Sequence, residues 1–151
     1  MSAAEQQQVL MYRSRVVMAV VASSAVAPLV SVVALTLPNM LRDHDGATLS
    51  GVIWMIRAAM GAGLPIALIV ASIIAYLSRR LLRRRDRRIW VIVPLVAALL
   101  GALCVHALLH ILTGGESSVA NALASGAVGG FIAGMCFCFI ALHGPVERYG
   151  N

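Results

Sequence analysis

Residues 66–100 read IALIVASIIAYLSRRLLRRRDRRIWVIVPLVAALL, two continuous apolar runs joined by residues 78–88, a bridge with seven arginines and one acid, Asp86. Neither run alternates polar with apolar, which excludes the strands of a membrane β-barrel, whose segments alternate over about ten residues. On one side the oily stretch reaches back to residue 51, and on the other it continues to residue 112. At 1.5 Å per helical residue, both outreach a hydrocarbon slab of about 30 Å. In lipid each backbone N–H and C=O must find its partner within the segment, so the two runs are expected to be transmembrane helices.

Working outward from this pair, two further apolar runs occupy residues 16–37 and 121–142. The expected fold is therefore an all-α, integral membrane four-helix bundle over residues 16–37, 51–77, 89–112 and 121–142, forming a single domain over 1–151. The composition agrees. With 60% apolar residues and a mean hydropathy of +0.89, a chain of 151 residues is too oily to cover itself with a polar surface. Arg13 and Arg15 precede the first run, and residues 24–27, SAVA, resemble the end of a cleavable leader. However, Pro28 follows at once and the apolar run continues, so the first run is read as a retained helix.

The arginines set the expected orientation. There is no lysine, and Arg79, Arg80, Arg83, Arg84, Arg85, Arg87 and Arg88 crowd one bridge. Basic residues of short loops stay on the cytoplasmic side. With that bridge inside, four spans place both termini inside as well, an N-in/C-in topology. Ten of the twelve arginines then face the cytoplasm, and only Arg42 and Arg57 lie outside. The reading that follows is a multi-pass protein of a bacterial inner membrane whose seven-arginine bridge meets anionic lipid headgroups. Nucleic acid is not an expected partner, because an eleven-residue bridge between two oily runs offers neither a groove nor stacking aromatics.

Small residues recur at four-residue spacing in two spans. Ala122, Gly126, Gly130 and Gly134 line one helix, and Ala59, Gly63, Ala67, Ala71 and Ala75 another. Such rows let backbones approach closely where no hydrophobic force drives helices together. Packing within one bundle is favoured over a homo-oligomeric contact, with a larger membrane complex as a further setting.

Candidates for chemistry are few. His106 and His110, spaced i, i+4, leave one helix face and are the candidate metal or haem ligands. The carboxylates that could join them are Asp43, Asp45 and Glu116. Position 107 is Ala rather than the general-base Glu of a zinc protease, and a structural polar contact is the favoured reading of the pair. Arg57 interrupts an oily run beside Trp54, and snorkelling of its long stem to the headgroups accounts for it. Cys104, Cys136 and Cys138 sit in apolar runs and read as reduced, buried small hydrophobes. No acid or lysine falls within any of the four runs, and no phosphate loop or nucleophile motif occurs.

These features together point to a small non-enzymatic membrane protein acting by helix–helix contact, as an accessory subunit or a protective, immunity-type protein, with no cofactor. The alternatives are a small transporter or channel with an outward-facing site near Arg57, His106 and His110, and a haem- or metal-binding membrane protein.

Overall fold

The computed structural model describes residues 3–42, 49–79, 87–113 and 118–142. Helix α1 spans Ala3–Arg42, α2 Leu49–Ala58, α3 Leu64–Leu77, α4 Ile89–Thr113 and α5 Val119–Leu142. A π-helical stretch, Ala59–Gly63, joins α2 to α3 without a break, so the five helices make four rods. All four are long and apolar enough to cross a membrane, at Ser14–Thr36, Ile53–Leu77, Ile89–Ile111 and Val119–Leu142, and no strand occurs among the described residues. The protein is a helical, multi-pass membrane protein.

Two differences from the expected boundaries have simple causes. Helix α1 begins at Ala3 rather than 16 and ends at Arg42 rather than 37. Hydropathy marks only the part of a helix that lies in lipid, whereas backbone hydrogen bonding continues into the polar zones at either end. The second span is expected as one uniform helix, and the π-helical stretch divides it. Pro65 lies in the first turn of α3, where its ring lacks an N–H and would collide with the carbonyl four residues back. Opening the preceding turn to a wider helix relieves that collision.

Helix α5 is the hub. It packs along α4 and α1, while α3 rests on α1 and touches α4 only slightly. Accordingly α5 is the most buried of the four rods and the second span the least. At the end that carries Arg87 and Arg88 the rods close on a packed cluster of Ala19, Val20, Ile74, Ile89, Val93, Phe137 and Cys138. There the buried Cys138 thiol donates to the Ile89 carbonyl at 3.6 Å, tying the end of α5 to the start of α4.

Candidate functional site

The α4–α5 contact is a backbone seam. A methyl group placed on Gly130 would strike the Ala97 carbonyl oxygen, and one on Gly126 the carbonyl of Gly101. One on Gly134 would come within 2.7 Å of the Pro94 Cα. At Gly126 and Gly130 the α-hydrogen that glycine carries instead faces a carbonyl oxygen, and Cα–H···O contacts of this kind contribute about 0.5–1 kcal/mol each. Gly126, Gly130 and Gly134 thus meet α4 of the same chain, with Gly101 as the counterpart on α4. Gly129, one position along, serves α1 in the same way, since a Cβ there would meet the Ser31 hydroxyl and lie 2.8 Å from the Ala27 carbonyl. Gly63 sits against Pro28, where a Cβ would lie 3.2 Å from the proline's own.

Several hydroxyl groups within the spans are satisfied locally. Ser24 donates to Val20 O at 2.8 Å, Thr36 to Val32 O at 2.9 Å, Ser72 to Leu68 O at 2.7 Å and Ser125 to Ala122 O at 3.0 Å. Each returns to a carbonyl three or four residues earlier, the form in which helices carry Ser and Thr through lipid.

Between the weakly joined second span and α4 lies a cavity of about 470 Å³ to which all four rods contribute. Its walls include Ser31, Ala67, Val70, Gly101, Val105 and Phe137. No charged side chain lines it among the described residues; Ser23, Ser31 and Cys104 are the polar exceptions, apart from the indole of Trp54. The small residues that let α4 and α5 meet also leave this volume, because the second span, resting on α1, does not fill the space they vacate.

The charged and ionisable candidates lie elsewhere. Arg57 is exposed, and neither it nor His106 nor His110 lines the cavity. The two imidazoles stand edge to face, 6.2 Å between ring centres, and the buried Nδ1 of His106 has no hydrogen-bond partner. Among the described residues no group of three or more His, Cys, Asp or Glu side chains converges on one point. The proposed carboxylate companions Asp43, Asp45 and Glu116 lie outside the described residues, as do Arg80, Arg83, Arg84 and Arg85 of the basic bridge. Of that bridge, Arg79, Arg87 and Arg88 are described, and all three are exposed. All three cysteines are free thiols.

Reading the sequence for charges and histidines passes over the cavity entirely. Its signal, small residues at matching depth on several spans, is the same one that marks tight packing, so the sequence does not separate a seam from a void.

In comparisons with known proteins, no family model matches the chain, and neither a curated protein nor a solved structure matches it significantly. The fold and its interior define a class: a four-span helical membrane protein with an uncharged interior among its described residues.

Proposed function

We propose that this protein works without chemistry of its own, as an inner-membrane accessory or protective subunit that binds a transmembrane helix of a partner protein, with both of its termini in the cytoplasm. The observation that carries the reading is the second span, which rests on α1 along one edge, turns a second face to the cavity, and leaves its outer face exposed. Gly61, Ile69, Ser72 and Tyr76 recur along that exposed side at helical spacing, and Gly61 has open space around it. A notch flanked by apolar side chains accepts a neighbouring helix closely. The glycine row of α5, by contrast, is already occupied by α4 and is closed to a second copy.

A transporter that uses Arg57, His106 and His110 receives less support, since none of the three lines the interior volume. The test is in-membrane crosslinking from a photoreactive residue placed at Ile69, compared with one at Leu103 on α4. Adducts to one membrane protein from position 69 and none from 103 support the proposal. Adducts to lipid alone from both positions overturn it.

A further inference from the structure

We propose that the cavity between the second span and α4 holds one acyl chain of a bilayer phospholipid, taken in sideways from the membrane. Its shape is the first ground. The lining on α4 runs from Val93 to Leu109, about 24 Å at 1.5 Å per residue, so the volume is drawn out along the bundle axis. A slot that is long in this direction and walled by apolar side chains of all four rods fits an extended hydrocarbon chain.

The opening is the second ground. Trp54, Met55 and Ile66 line the cavity and are 70%, 38% and 37% exposed, which places them at its rim. That rim lies on the lipid-facing side, where α3 and α4 barely touch. The mouth runs from Trp54, beside the headgroup-seeking Arg57, to Ile66 deeper in the span, so what enters it comes from the bilayer. The other end is sealed by Ile74, Val93 and Phe137, all buried, which gives a chain a closed tip to rest against.

Chemistry is the third ground. The lining is apolar apart from Ser23, Ser31, Cys104 and the Trp54 indole, and the Ser23 hydroxyl is already engaged with the Val20 carbonyl at 3.1 Å. An apolar volume of this kind stays dry and favours hydrocarbon. The lining residues themselves lie on the inner face of the second span, away from Gly61, Ile69, Ser72 and Tyr76, none of which lines the cavity.

The test uses purified full-length protein reconstituted with a phosphatidylethanolamine that carries a diazirine in one acyl chain. After exchange into detergent to remove bulk lipid, the sample is irradiated and the adducts are mapped. The expected result is concentration of adducts on Val70, Val105 and Phe137, with few on the outward-facing Ile69, Leu99 and Phe139. Unlabelled phosphatidylethanolamine should displace the label and palmitic acid at the same concentration should not. Ala67→Phe, which projects a ring into the cavity, should lower the lining adducts by about tenfold, a scale readily resolved, while Ile69→Phe leaves them unchanged. Adducts spread evenly over lining and outward-facing residues overturn the proposal, and equal displacement by palmitic acid overturns the assignment to phospholipid. Should Ala67→Phe not fold, the map of the unaltered protein decides.

Discussion

At the scale of single residues, glycines that look alike in sequence differ by what stands beside them. Gly61 has nothing within 4 Å of the position a Cβ would take, whereas the corresponding position at Gly130 falls on the Ala97 carbonyl and within 2.8 Å of its carbon. Gly130→Ala therefore forces α4 and α5 apart, and overpacking of this kind costs about 1–3 kcal/mol. Gly61→Ala meets no neighbour and removes the backbone freedom of glycine, a change that by itself favours a helix by about 0.5–1 kcal/mol. Thermal denaturation in a mild detergent should show Gly130→Ala melting well below the parent and Gly61→Ala at or above it. Equal losses in the two variants would mean that the α4–α5 seam is looser than its backbone contacts indicate. Gly130→Leu should be more damaging still, and far more so than Leu142→Ala, which trims a partly buried side chain at the end of α5.

At the scale of elements, the π-helical stretch yields a test of register. A π turn holds one residue more than an α turn would, so deleting Gly61 lets Ala59–Gly63 close to an α-helix while α2 and α3 keep their facing. Deleting Ala67 instead rotates everything on one side of it by about 100°, turning Ala71 and Ile74 away from their packed positions. Folded yield by size-exclusion chromatography should fall in part for the first deletion, which returns the Pro65 ring to the carbonyl four residues back, and collapse for the second. Similar collapse for both would show that the wide turn is needed in its own right. The four rods themselves are legible in the sequence, because continuous apolar runs longer than the bilayer admit little else. The π-helical stretch is not, since Gly61, Gly63 and Pro65 fit a plain kink equally well. Nor is the α1–α5 contact at Gly129, because Ser31 and Ala27 carry no mark that distinguishes them from other small residues in oily sequence. The cavity is harder still to foresee, for it depends on α3 settling on α1 rather than on α4.

At the scale of the whole molecule, the question is which way the bundle sits, and the charge pattern makes a definite prediction. Reporters fused after Arg88 and after Asn151 should report cytoplasm, and one fused after Gly115 the opposite side. A cytoplasmic signal at Gly115 would contradict the N-in/C-in arrangement. The stronger test removes the signal itself. Replacing Arg79, Arg80, Arg83, Arg84, Arg85, Arg87 and Arg88 with Gln leaves the apolar spans untouched, and the three of these that are described lie exposed, away from the packed interior. The helices should therefore still insert. Arg13 and Arg15 must then hold the orientation against Arg42 and Arg57, two charges against two, with Arg148 the other cytoplasmic arginine remaining. Because basic residues near the ends of short loops set topology, an almost balanced count should give a mixed population. Protease accessibility on sealed vesicles would show it as cleavage of the same site in a fraction of molecules from each side. A Gln variant that still inserts one way would mean that the bridge does not direct insertion, and that its seven guanidinium groups serve contact with anionic headgroups or a partner, an attraction that weakens with added salt.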